Sequence, residues 1–316
     1  MPVPVPVPVP VPAPVPGPGP APRARGPLVP VAFPPSAEGV AVAAYDLGGS
    51  GPDLLLVHAT GFCAGVLGPM ARALADRFHV VALDLRAHGR SQRPAHGDFD
   101  WHHFADDVLA AAIALGLEAP LGFGHSCGGA SLLLAEQAAP GSFSGLYLFE
   151  PVVYPSDVPL APSVDHNPLS AGALRRREVF GSRQEALDNF SSKPPFDRLH
   201  PEALAAYVDD GFAPDPGEGG VRLRCRREDE AQVYAHGFSH DAYRRLGELS
   251  CPVTLACGAE TDGFGLDLLA LYAARLARPE VLVLPGLGHF GPLEDPAAVA
   301  ASLASSQVAL GGTPLP

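Results

Sequence analysis

The chain has 316 residues and a net charge of −13, with Lys193 as its single lysine and arginine supplying the rest of its positive charge. That balance excludes electrostatic capture of nucleic acid or of an anionic membrane surface, and no apolar run reaches the length of a membrane span. Five cysteines, at 63, 127, 225, 251 and 257, form an odd set without metal-type spacing, which fits a reducing cytoplasm better than a disulfide scaffold.

Residues 1–22 alternate proline with valine, alanine or glycine. Proline at every second position removes donors and locks φ, so residues 1–30 are expected to form a disordered, solvated tail. The segment lacks the basic start and uninterrupted apolar stretch of a signal peptide. Past the tail, an antiparallel strand is expected over 39–45, turned by Gly48-Gly49-Ser50-Gly51-Pro52. Strand 54–58 feeds a loop containing Thr60, and a helix follows over 66–77. Strand 79–83 runs into Asp84-Leu85-Arg86-Ala87-His88-Gly89-Arg90-Ser91. Asp100 is placed to cap a helix over 101–116, whose Phe104, Val108, Ala111, Ala112 and Leu115 recur at helical spacing. Strand 120–125 leads into a second helix, and 144–149 forms the next strand. This alternation predicts an α/β fold with a mostly parallel sheet covered on both faces.

The rhythm breaks over 152–246, which is rich in proline, shows no convincing buried strand and offers helical candidates at 171–189 and 201–211. It resumes with strand 252–257, helix 264–277, strand 281–284 and a final helix from Asp295. The chain therefore divides into the tail (1–30), a first core part (31–151), an insertion (152–246), a second core part (247–310) and a flexible C-terminus (311–316).

The chemistry centres on Ser126, in Gly124-His125-Ser126-Cys127-Gly128 between a strand and a helix. That is the sequence of a nucleophile elbow. A turn this sharp strains the serine backbone, and the flanking glycines leave room where a Cβ would clash. The pentapeptide alone recurs by chance. Three further segments in order carry more weight: Leu54-Leu55-Leu56-Val57-His58 with its loop Ala59-Thr60-Gly61-Phe62; Val80-Val81-Ala82-Leu83-Asp84 with its loop; and Val281-Leu282-Val283-Leu284 running into Pro285-Gly286-Leu287-Gly288-His289-Phe290. Together these residues resemble the α/β-hydrolase superfamily, in particular its capped serine hydrolases of esterase and lipase type, over residues 37–308.

The resemblance implies that the insertion is a helical cap, that Ser126 is the nucleophile and that His289 is its base. The acid is open between two positions. The superfamily usually offers Gly-x-x-Asp after its penultimate strand, but here Gly258-Ala259-Glu260-Thr261-Asp262 puts threonine there and Asp262 one residue late. Glu150, in Glu150-Pro151 at the end of strand 144–149, is preferred because the carboxyl end of a parallel strand faces the crevice. Both lie between Ser126 and His289, so chain order does not separate them. The oxyanion donors implied are the amides of Cys127 and Thr60, with Phe62 as second choice. His125 reads as packing or oxyanion support, His58 as orienting its own loop, and the Cys127 thiol as pointing away from the pocket. The Asp84–Ser91 loop reads as a structural wall.

His96, His102 and His103 lack paired metal-ligand spacing and read as solvated or packing residues. Arg175, Arg176 and Arg177, and Arg222, Arg224, Arg226 and Arg227, read as solvated faces paired with acids. The sharper alternative is recognition of a substrate carboxylate or phosphate. The expectation is a cofactor-independent, metal-free serine hydrolase that cleaves carboxylic esters of small to medium apolar molecules through an acyl-enzyme, with a small-molecule ester as its partner. Thioesterase, carbon–carbon bond hydrolase and perhydrolase chemistry would use the same residues. A non-catalytic small-ligand-binding protein of the same fold is the rival from another class. Serine at the elbow argues against haloalkane dehalogenases and epoxide hydrolases, which use a carboxylate there.

Overall fold

A computed structural model describes residues 27–309 except residue 218. Strands β1 (Ala44–Gly49), β2 (Asp53–Val57), β3 (His79–Leu83), β4 (Leu121–His125) and β5 (Gly145–Phe149) alternate with helices α1 (Gly68–Leu74), α2 (Trp101–Ala114) and α3 (Cys127–Ala138). After the insertion come β9 (Val253–Gly258), α8 (Leu266–Ala273), β10 (Pro279–Leu284), α9 (Gly291–Glu294) and α10 (Pro296–Ser305), the numbers between belonging to the insertion. The sheet has seven strands in the order β1-β3-β2-β4-β5-β9-β10. All pairs are parallel except β1 with β3, which is antiparallel and bulged between Asp46 and Gly48.

The strands are continuous apolar runs because both faces are covered. Leu54, Leu56, Phe123 and Tyr147 pack under Met70 and Leu74 of α1 and Val299 and Leu303 of α10. Leu55, Val57, Leu146, Leu148 and Leu255 pack on the other face under Phe104, Val108, Leu132, Leu133 and Leu269. Asp100 does cap α2, its side chain accepting from the His102 amide.

The insertion departs from expectation in one respect. Its helices are α4 (Pro168–Leu174), α5 (Arg183–Ser191), α6 (Pro201–Asp210) and α7 (Arg227–His236), and between them runs a three-stranded antiparallel sheet, β6 (Val179–Phe180), β8 (Val221–Leu223) and β7 (Phe212–Pro214). The helix expected over 171–189 is accordingly two helices with β6 between them. Phe180, Phe190, Tyr207 and Phe212 form an aromatic cluster within the insertion that is continuous with one face of the core. It is seated on the sheet by Trp101 Nε1–H donating to the Val233 carbonyl at 3.1 Å, by the bidentate Arg93–Asp229 pair at 2.6 and 3.0 Å, and by the His200 amide donating to Leu293 at 2.7 Å.

The expected tail lies outside the described residues as far as residue 26. Its last stretch is structured: the Leu28 amide donates to Asp210 Oδ1 of the cap at 2.7 Å, and the Leu28 side chain packs against the core. Among the described residues no helix is long and apolar enough to cross a membrane.

Candidate active site

The carboxyl ends of the parallel strands gather at one edge of the sheet, where the topology opens a crevice. β4 delivers Ser126 there with φ +56° and ψ −115°. The turn closes only because its neighbours lack side chains. A Cβ on Gly124 would lie 2.6 Å from the Gly128 carbonyl oxygen, and one on Gly128 would lie 2.4 Å from that of Val57. Ser126 is 7% exposed.

His289 follows β10, and its Nε2 stands 3.2 Å from Ser126 Oγ. Its Nδ1 lies 2.7 Å from Glu150 Oε2. A carboxylate only accepts, so Nδ1 carries the proton and Nε2 faces the serine as an acceptor. Glu150 is fully buried just past β5, and it also accepts from the Gly258 amide on Oε1 at 3.0 Å and the Thr261 hydroxyl on Oε2 at 2.8 Å. Asp262 is exposed, and no hydrogen bond joins it to His289. The structure thus brings Ser126, His289 and Glu150 into one chain and leaves Asp262 outside it. Thr261, which sequence reasoning passed over, is a donor to the buried carboxylate. Its signal was a hydroxyl at the position where relatives carry the acid.

His125 supports the histidine from behind: its Nε2–H donates to the His289 carbonyl at 2.8 Å. Burial pushes the His125 pKa well below the usual histidine value, so the ring is neutral. The loop of His289 is tied down further by Glu294, which accepts from the Gly288 amide at 2.9 Å.

On the oxyanion side the loop after β2 is fixed from several directions. The Phe62 amide is spent on the Ala59 carbonyl at 3.2 Å and the Gly61 amide on His88 Nε2 at 3.0 Å. Among the described residues the amides of Thr60 and Cys127 meet no acceptor, which favours them over Phe62 as open donors. The Thr60 side chain lies close to the Cys127 thiol, so the two loops meet there. Burial pushes that thiol up to about 12, leaving it protonated and inert. His58 and His88 are wall residues. Each takes a backbone amide on Nε2, from Leu85 at 3.1 Å and from Gly61, and burial drops their pKa values to about 4 and about 3. The wall itself is anchored by Asp84, which accepts from the Tyr45 hydroxyl and the Ala64 and Arg90 amides, and by the bidentate Arg86–Asp107 pair.

The remaining polar groups follow the bland expectation. His102 lies between Asp100 and Asp241, and His103 beside Asp98 and Asp106. Among the described residues one trio, Glu38, Asp98 and His103, has ligand atoms within 4.8 Å of one another; it is at least partly exposed and includes none of the residues around Ser126. Arg177 pairs with Glu185, Arg222 with Glu178 and Asp215, and Arg227 with Glu228. Arg176 departs from it, being paired but largely buried, and so does Arg224, which has no salt bridge among the described residues, its Nε donating to the Phe212 carbonyl at 3.1 Å.

Residues 54–302 match the profile of the alpha/beta hydrolase family, and the chain belongs to that family. It is 26% identical over 244 residues to a 2-(acetamidomethylene)succinate hydrolase of Mesorhizobium japonicum, covering 77% of this chain and 83% of the relative. It is also 26% identical over 267 residues to a soluble epoxide hydrolase of a Corynebacterium species, covering 80% and 88% of the two chains. Among solved structures, E-2-(acetamidomethylene)succinate hydrolase superposes with a TM-score of 0.70 at 21% identity, over 84% of this chain and 94% of that one.

Proposed function

We propose that the protein is a cofactor-independent serine hydrolase acting on carboxylic esters of small to medium apolar molecules. The observation that carries this reading is the unbroken chain from Ser126 Oγ through His289 to the buried Glu150 carboxylate. In the proposed reaction His289 Nε2 takes the Ser126 proton as Oγ attacks the ester carbonyl. Glu150 holds the imidazole in the tautomer that receives it and balances the charge that forms. The Thr60 and Cys127 amides stabilise the oxyanion. The imidazolium then gives its proton to the leaving alcohol, an acyl-serine remains, and water deprotonated by His289 releases the acid.

Phe264 and Phe290 lie 5.7 and 5.2 Å from the His289 ring, and Phe62 and Phe196 extend this aromatic wall. An apolar wall beside the proton donor favours an apolar leaving group. Serine at the elbow sets the chain apart from the epoxide hydrolase it resembles overall. The likeness to a hydrolase named for a substituted succinate favours small-molecule substrates over polymers. Five buried free cysteines among the described residues are in keeping with a reducing cytoplasm.

The test is labelling by a fluorophosphonate with mass mapping, beside turnover of short p-nitrophenyl esters. Label on Ser126 is expected, with Ser126→Ala and Glu150→Gln each losing about 10³-fold or more in kcat and Asp262→Asn retaining activity. A folded wild-type protein that takes no label would overturn the proposal in favour of a ligand-binding role.

A further inference from the structure

The cap places a buried ion pair directly on the oxyanion loop. Arg176, just past α4, donates through Nη1 to Glu230 of α7 and through Nη2 to the Tyr207 hydroxyl of α6. The Glu230 side chain is 5% exposed and that of Arg176 19%. Beneath them sits Gly61 at φ +80°, and the position of its missing Cβ is only 2.7 Å from Glu230 Oε1 and 3.2 Å from Arg176 Nη1. The next residue, Phe62, packs its ring at a tilt against Tyr207, 5.4 Å between centroids. From the core side the Gly61 amide is held by His88. Gly61 and Phe62 are thus gripped between wall and cap, and the residue before them is Thr60, whose amide the proposed mechanism needs.

A buried ion pair adds little net stability compared with apolar residues of the same volume, because desolvation offsets its attraction. What it supplies here is registry: one charged, hydrogen-bonded geometry in close contact with a glycine whose φ of +80° disfavours any side chain. We propose that Arg176 and Glu230 are positioning residues that set the Thr60 oxyanion donor and make its placement depend on a seated cap. The inference rests on the serine-hydrolase reading. It gives the Arg176 side chain a task distinct from both solvation and capture of an anionic substrate, since its charge is already met by Glu230.

The experiment compares wild type with the double variant Arg176→Met/Glu230→Leu, which leaves no unpaired buried charge, and with Tyr207→Phe, which keeps the ring on Phe62 and removes only the hydroxyl. Arg222→Gln, in a cap ion pair away from the loop, is the control. The double variant is expected to lose about 10- to 100-fold in kcat, with KM within threefold, and its rate of phosphonylation at Ser126 is expected to fall in parallel. Tyr207→Phe should fall in the same direction by less, and Arg222→Gln should match wild type. If kcat is unchanged in the double variant, or KM rises while kcat holds, the pair is packing or a substrate contact and the inference is overturned. Should the double variant fail to fold, Tyr207→Phe carries the test alone, and wild-type kinetics there overturn it. Failure of wild type to label at Ser126 would instead remove the hydrolase reading itself.

Discussion

Ser126 and Glu150 are held in the left-handed region of backbone space, at φ +56° and +47°. A side-chain-bearing residue costs about 1–3 kcal/mol there unless its surroundings impose the conformation. Here each corner braces the other. The Ser126 amide donates to the Phe149 carbonyl at 2.9 Å, and the Val152 amide donates to the Ser126 carbonyl at 3.2 Å. The elbow and His289 were legible in the sequence because glycine spacing and a loop after the last strand are local signals. The acid was legible only as a preference for Glu150 over Asp262, because its placement depends on strand pairing. Phe149 stands opposite Ala256, which brings Glu150 to the Gly258 amide and to Thr261, and no local pattern encodes that register. Thr261→Asp would set two carboxylates within hydrogen-bonding distance, where both cannot ionise. It is expected to lower kcat at pH 7 by roughly 10-fold or more, while Thr261→Ser, which keeps the hydroxyl, stays within about twofold; steady-state rates on a p-nitrophenyl ester check this.

At the scale of elements, the core strands announced themselves as apolar runs and the cap strands did not. β6, β7 and β8 are two or three residues long, too short for an alternating pattern to register. Their apolar residues, Phe180, Phe212, Val221 and Leu223, are buried in the same cluster as one face of the core. One junction between cap and core has a pH signature. Asp210 at the end of α6 is pushed up to about 6, burial being the main cause. Its folded pKa lies above the unfolded value near 3.8, so the folded state holds the proton more tightly and the carboxylate destabilises the fold above pH 6. That cost fades as pH falls through 6 and is gone below about 4. Asp210→Asn keeps an oxygen for the Leu28 amide and removes the charge. Its Tm is expected to exceed that of wild type by on the order of 5 °C at pH 8, the gap closing at pH 4 in thermal melts.

For the molecule as a whole, two apolar layers on opposite faces of one sheet account for the fold, and composition with strand–helix alternation was enough to read it. The role of Leu28 was less visible, because only its contacts with Asp210 and the core mark it as part of the folded body. Deleting residues 1–26 is expected to leave Tm within about 1 °C, whereas deleting 1–30 removes the Leu28 contacts with Asp210 and the core and is expected to cost several degrees, roughly 1–2 kcal/mol, in calorimetry at pH 7. The site also has an order in time. Its serine and its acid end neighbouring strands β4 and β5, but His289 lies 139 residues beyond Glu150. At about 5–20 residues per second, a ribosome would hold a chain with the proposed nucleophile and acid already made for on the order of ten seconds before the proposed base emerged. On the proposed mechanism Ser126 would stay without its base during that interval, and the segment that carries His289 would act as the arming step.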